Sequence, residues 1–239
     1  MAYPHRRSIK RNQRRNDLNM NPEDSGSEGE IANHRREMRC ASSAMLRGSI
    51  GFGLVSLLAF SVWAFGGRWL QAHSGEAGLY AVCVLVFVGF SGVLLRPLVR
   101  GPQSFLRFYA IFIPAFLAYG LVWCLAWFGL GFGIGEWLGS FLGSVAFVGV
   151  LSWRMRSTPG FIGASLVVFA LNSAGYFLGG KLMHAILGPD ASGWLRGLPK
   201  PGLLVAAKLA WGLLYGLGFG AGIGYAFHVV QKKRGGSGT

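Results

Sequence analysis

The sequence predicts an all-α protein, a polytopic bundle of six transmembrane helices behind a basic, disordered N-terminal tail. Three observations lead there. Only 13% of the 239 residues are charged and 52% are hydrophobic, whereas a soluble domain of this size holds about 25% charged residues. The apolar residues come in unbroken blocks that approach or exceed the roughly 18 residues needed to span lipid, rather than in amphipathic stripes. Many of the 38 glycines lie inside those blocks, several at the four-residue spacing that lets membrane helices approach one another closely.

The net charge of +14 raises the question of a nucleic-acid partner, and its distribution argues against one. Much of it sits in the first fifty residues, and the remainder falls mainly in short segments between apolar blocks, where topology signals belong. Residues 1–44 carry paired arginines, Arg6-Arg7, Arg14-Arg15 and Arg35-Arg36, around the acidic insert NPEDSGSEGE. They hold too little apolar material to offset ordering entropy, so a disordered cytoplasmic tail is expected, with room for a short helix near Ile31–Met45. Such a tail suits anionic lipid. The run HRRSIK lacks the apolar region that an export signal needs directly after it, and the first apolar block reads as an uncleaved anchor.

The spans are expected at about 45–65, 79–95, 108–128, 136–153, 159–179 and 203–230, with a flexible cytoplasmic terminus at 231–239. Gly66-Gly67-Arg68 ends the first, and a short loop follows. Arg96-Pro97 stops the second, since charge and a missing N–H both oppose continuation. Pro114 should kink the third unless a neighbour satisfies the carbonyl it frees. Trp123, Trp127 and Phe128 gather at that span's far end as an interfacial belt. Pro159 is placed to start the fifth. The connection KLMHAILGPDASGWLRGLPKPG is the longest, its first half readable as a surface helix.

Two glycine series define the expected helix packing. In the sixth span Gly212, Gly216, Gly220 and Gly224 form one row, while Gly218 and Gly222 fall on another side. Each glycine costs roughly 1 kcal/mol relative to alanine in a helix interior, so close helix contact has to offset them. The second series is Gly131, Gly135, Gly139 and Gly143, at the start of the fourth span. It is the expected partner of the first. The strings GLGFGIG (129–135) and GLGFGAGIG (216–224) also admit an internal three-plus-three repeat, the architecture of many transporters, although glycine-rich apolar helices resemble one another by chance.

Ionisable groups at lipid depth mark functional sites by default, and here they are few. Glu136 opens the fourth span, Lys208 lies inside the sixth, and Asn172 with Tyr176 one turn beyond lies in the fifth. By rise per residue all four reach a similar depth near the outer leaflet, the expected polar pocket. The plainer reading is that Glu136 and Lys208 pair or snorkel, Asn172 bonds a neighbouring helix, and Lys208 stacks on Trp211 and Tyr215. His184 and His228 fall near span ends.

No HExxH pattern, paired-carboxylate motif or serine elbow is present in the sequence, and Cys40, Cys83 and Cys124 stand alone. No catalytic residue, metal or cofactor is therefore expected. The expected partners are the lipid bilayer, and a second copy or another membrane protein, with no nucleic acid. A non-enzymatic assembly or scaffold subunit leads, and a small transporter or channel-like protein is the alternative.

Eighteen of the 23 Lys and Arg fall on one side of a six-span arrangement and four on the other, Lys208 lying within a span. Both termini are thus expected in the cytoplasm of a cell bounded by a plasma (inner) membrane. Reporter fusions at the two ends should register the same side; opposite sides would require an odd number of crossings.

Overall fold

The computed structural model describes residues 22–99, 104–131, 133–158, 160–188, 197 and 199–232, with backbone alone for 22–28 and 104. Among them there is helix and no strand. The elements are α1 (Pro22–Ser61), a π-helical turn (Val62–Gly66), α2 (Gly67–Leu95), a 3-10 turn (Arg96–Leu98), α3 (Ser104–Leu130), α4 (Ile134–Met155), α5 (Phe161–Leu187) and α6 (Lys200–Val230). The chain divides into two compact units, Met1–Cys40 and Ala41–Thr239.

In the first unit the tail expected to be disordered is helical from Pro22 onward, and residues 1–21 lie outside the described residues.

Five helices are long and apolar enough to cross a membrane: Gly29–Leu98, Phe105–Leu130, Ile134–Met155, Phe161–Leu187 and Lys200–Val230. The first covers both of the first two expected spans and the segment read as a loop between them. Its helix is interrupted at Gly75, whose φ of 67° and ψ of −173° are open to glycine and costly for other residues. The chain doubles back between Ala59 and Cys83. Phe52 stacks on Phe87 at 5.5 Å, and the Cys83 thiol lies 3.6 Å from the Ala59 carbonyl, contacts that a straight helix of this length forbids.

α3 and α4 form a tight antiparallel pair. They are joined through Gly131 and Gly133, both at positive φ. The sequence similarity of 129–135 to 216–224 therefore hides a difference in conformation, a turn in one case and helix interior in the other. Along the pair, the glycines of α4 receive a row of side chains and backbone from α3. A Cβ at Gly135 would lie 2.7 Å from the Ala126 carbonyl, one at Gly139 3.1 Å from the Trp123 ring, and one at Gly143 2.9 Å from the Tyr119 ring. Trp123 and Trp127 stack at 5.9 Å beside this row. They are packing residues as much as interfacial ones.

α6 lies between α1 and α5. On its first flank, a Cβ at Gly212 would meet Phe60 Cβ at 2.6 Å, at Gly216 Gly53 Cα at 2.9 Å, at Gly220 Phe52 Cβ at 2.7 Å and at Gly224 Met45 Cα at 3.0 Å. On its second, Gly218 faces Gly175 and Gly222 faces Val168. The partners of α6 are thus α1 and α5, and the α4 row is taken by α3. Ser56 Oγ donates to the Gly212 carbonyl at 2.6 Å and Ser49 Oγ to that of Leu217 at 2.9 Å. Each is worth about 0.6 kcal/mol in a membrane interior. Between the helices runs a ladder of rings in which Phe108, Phe112 and Phe116 stack successively at 4.9 and 5.3 Å and Phe219 meets Phe116, Tyr119 and Phe147.

α4 ends in a left-handed turn at Arg156 (φ 51°), closed by the Ser157 N–H to the Ser152 carbonyl at 2.9 Å. Pro159, the expected start of the fifth span, lies outside the described residues, and α5 begins at Phe161. Most of the α5–α6 connection also lies outside them.

Pro114 remains inside α3. Its missing N–H orphans the carbonyl four residues earlier, that of Ala110. Arg154, in the last turn of α4, donates to this oxygen from Nε at 3.1 Å and from Nη2 at 2.9 Å. Arg154→Ala should lower unfolding stability in detergent by about 1–3 kcal/mol, the cost of an unsatisfied carbonyl. In a Pro114→Ala background the restored N–H should cut that loss to below about 1 kcal/mol. Additive losses in this double-mutant cycle would show that the two residues act separately.

Candidate functional site

Three of the four polar residues singled out from sequence fall on one seam where α3, α4, α5 and α6 meet. Glu136 sits in the first turn of α4 because Gly133 turns the chain just before it. Its Oε1 accepts a hydrogen bond from the Tyr176 hydroxyl at 2.9 Å. Its Oε2 reaches back to the Gly133 N–H at 3.4 Å, a long contact that still places negative charge at the positive end of the helix. Tyr176 is held from three sides. The Trp211 indole donates to its carbonyl at 3.1 Å, and its ring packs against Trp123 at 6.1 Å and Trp211 at 5.5 Å.

One turn earlier on α5, Asn172 is fully buried. Its Nδ2 donates to the Tyr119 hydroxyl at 2.9 Å, and Tyr119 is in turn hydrogen-bonded to Tyr215. Among the described residues Asn172 Oδ1 has no partner, and the buried hydroxyls of Ser140 and Ser173 have none either. Tyr119 was not singled out from sequence. The signal for it was its four-residue spacing from Trp123, which puts both on the face that meets the α4 glycines.

Lys208 lies elsewhere. It points across to the end of α1, where Nζ donates to the Trp63 carbonyl at 3.3 Å and stands 4.2 Å from the centre of the Trp63 ring. Trp211 and Tyr215, the ring partners expected from helical spacing, are engaged by other rings, Trp211 by Tyr176 of α5 and by Phe60 and Trp63, the last at 6.0 Å, and Tyr215 by Phe52 and Phe60 of α1. Glu136 and Lys208 are therefore separated by three rings in sequence of contact, Tyr176, Trp211 and Trp63. An ion pair between them does not form.

A surface depression of about 600 Å³ beside this seam is an open apolar groove, lined by Gly133, Ile134, Trp137, Leu138, Phe141 and Phe169. A smaller one of about 180 Å³ is lined by Met183, His184, Leu187 and Gly188. None of the four polar residues lines either. His184 turns its Nδ1 onto the Gly180 carbonyl of its own helix at 2.8 Å. Among the described residues, no group of three or more His, Cys, Asp or Glu side chains is arranged to hold a metal. Chemically, the seam can hold helices in register and can hold a single carboxylate beside a hydroxyl.

No family model matches the chain, and no curated protein or solved structure matches it.

Tyr176→Phe removes the donor to Glu136 and should lower the thermal midpoint in detergent by an amount equivalent to about 1 kcal/mol, the bond being partly exposed. Glu136→Gln keeps an acceptor for that hydroxyl and should cost less. An equal or larger loss for Glu136→Gln would mean that the carboxylate's charge, rather than its hydrogen bond, matters to the fold.

Proposed function

We propose that this chain is a multi-pass protein of a bacterial-type plasma membrane that crosses the bilayer six times. Both termini are cytoplasmic, and the protein serves as a non-enzymatic assembly or scaffold subunit. The six crossings are supported by the reversal between Ala59 and Cys83, which turns one long apolar run into two antiparallel segments. The orientation is supported by the placement of Lys and Arg. Large apolar side chains turned outward, among them Phe65, Leu121, Leu125, Phe128, Trp153 and Ile162, have no place in water and suit lipid or another membrane protein.

The observation that carries the scaffold role is the employment of the buried and interfacial polar side chains. Ser49, Ser56, Tyr109, Arg154 and Trp211 all donate to backbone carbonyls of other helices. Polar chemistry is spent on fixing one helix against the next. A transporter is the second reading, favoured by the unpartnered Asn172 Oδ1 and Ser140 and Ser173 hydroxyls near Glu136, the one carboxylate on the seam.

Reconstitution into liposomes separates the two. With an imposed potential and an entrapped pH dye, the scaffold reading expects the full-length chain to leave proton permeability at the level of empty liposomes, with Glu136→Gln indistinguishable from it. A flux that depends on potential and is lost in Glu136→Gln would replace the scaffold reading by the transporter one.

A further inference from the structure

We propose that Lys208, Arg68 and Trp63 form a seat for the phosphate of an anionic lipid at the junction of α1, α2 and α6. The inference rests on the membrane-embedded reading above. It begins with the π-helical turn Val62–Gly66. A π-bulge inserts a residue into a helix without breaking it, leaves the regular carbonyl-to-amide pairing locally, and occurs frequently at functional sites. Here the Trp63 carbonyl accepts from Lys208 Nζ at 3.3 Å, and the Trp63 ring covers the ammonium at 4.2 Å. The turn also sets the following residues. Gly67 packs against the Trp63 indole, and the next residue is Arg68, whose charge is close enough to act on Lys208.

A half-buried ammonium and an exposed guanidinium therefore lie at one corner, Arg68 following the Gly67 that packs on the Trp63 ring under Lys208. Among the described residues no carboxylate forms an ion pair with either, and the carboxylate of Glu136 is engaged on the far side of Tyr176, Trp211 and Trp63. Lys208 uses one of its three N–H donors on the Trp63 carbonyl, and the guanidinium of Arg68 is exposed. Like charges in a place of reduced dielectric repel, and a shared anion offsets that repulsion. A guanidinium beside an ammonium matches the oxygens of a phosphate.

The source of that phosphate is argued from what borders the corner. Phe65 and Trp69 flank Arg68 and are largely exposed, as is Leu204 one turn before Lys208. An exposed apolar rim of this kind suits acyl chains below a headgroup, and Arg, Lys and Trp at that level are the residues that anchor a helix at the interface. Lys208 lies about 12 Å along α6 from its first residue at 1.5 Å per residue, within reach of that end of the helix for a snorkelling side chain.

The test uses the full-length protein in detergent, with retained lipid read by native mass spectrometry during titration with phosphatidylglycerol or phosphatidylcholine. Phosphatidylglycerol should be retained over phosphatidylcholine. Arg68→Gln and Lys208→Gln should each weaken its retention roughly fivefold, the equivalent of one surface charge, while Lys181→Gln, exposed on α5, should not. Equal retention of the two lipids, or unchanged retention in the double variant, overturns the proposal. Displacement of phosphatidylglycerol by millimolar inorganic phosphate overturns the lipid source and assigns the corner to a free anion. If Lys208→Gln does not fold by circular dichroism, Arg68→Gln, whose side chain is exposed, carries the test. A chain extracted from membranes by alkaline carbonate would instead sink the membrane reading itself, a result independent of lipid selectivity.

Discussion

Backbone-to-backbone approach along α6 is the constraint on which the bundle depends. An added Cβ on one flank would collide with α1 at Gly212, Gly216, Gly220 and Gly224, and on the other with α5 at Gly218 and Gly222. Six residues without side chains weaken a helix on its own, so the packing they permit has to exceed that loss. It does so by bringing dispersion contacts and carbonyl acceptors within reach together: the serines of α1 bond to carbonyls of α6 only because nothing stands between the two backbones. The α3–α4 pair works by a related device, with large rings of one helix filling the bare row of the other.

Polar satisfaction supplies the second layer. Lipid offers no hydrogen bonds, so every irregularity in a spanning helix creates a debt of donors or acceptors. Two irregularities are met by cations from a different helix. Arg154 answers the carbonyl orphaned by Pro114, and Lys208 answers a carbonyl in the π-helical turn. In both cases a charged side chain is used for its donors.

How much of this was legible in the sequence depends on whether a feature is written along one helix or between two. The four-residue glycine series and the unpaired carbonyl created by Pro114 follow from arithmetic along a single segment. The partner of each series does not: Gly135, Gly139 and Gly143 pack on α3 and the 212–224 row on α1, while Gly131 sits in the turn at positive φ with nothing packed on it. Lys208 shows the same limit: Trp211 and Tyr215 stand at the right spacing on its own helix, yet Trp63, 145 residues away, takes the ammonium. The sequence reads as a loop of about a dozen residues around Gly75, whereas the structure keeps that stretch helical apart from a break at this one glycine. On the seam, Glu136, Asn172 and Tyr176 were visible as polar residues in apolar blocks. Tyr119 was not, because an aromatic residue among aromatic residues gives no signal of its hydroxyl.

The bond from Ser56 to Gly212 joins residues 156 apart, whereas α3 with α4 and α5 with α6 are neighbours along the chain. At ribosomal rates of 5–20 residues per second, the first helix therefore waits about 10–30 s after its own synthesis before its partner emerges. During that interval Ser49 and Ser56 are without the α6 carbonyls that they bond in the finished fold. Pairs close in sequence, such as α3 with α4, are thus complete in synthesis before α6 emerges to meet α1. An insertase or chaperone that shields small, polar helix faces has its period of usefulness set by that gap.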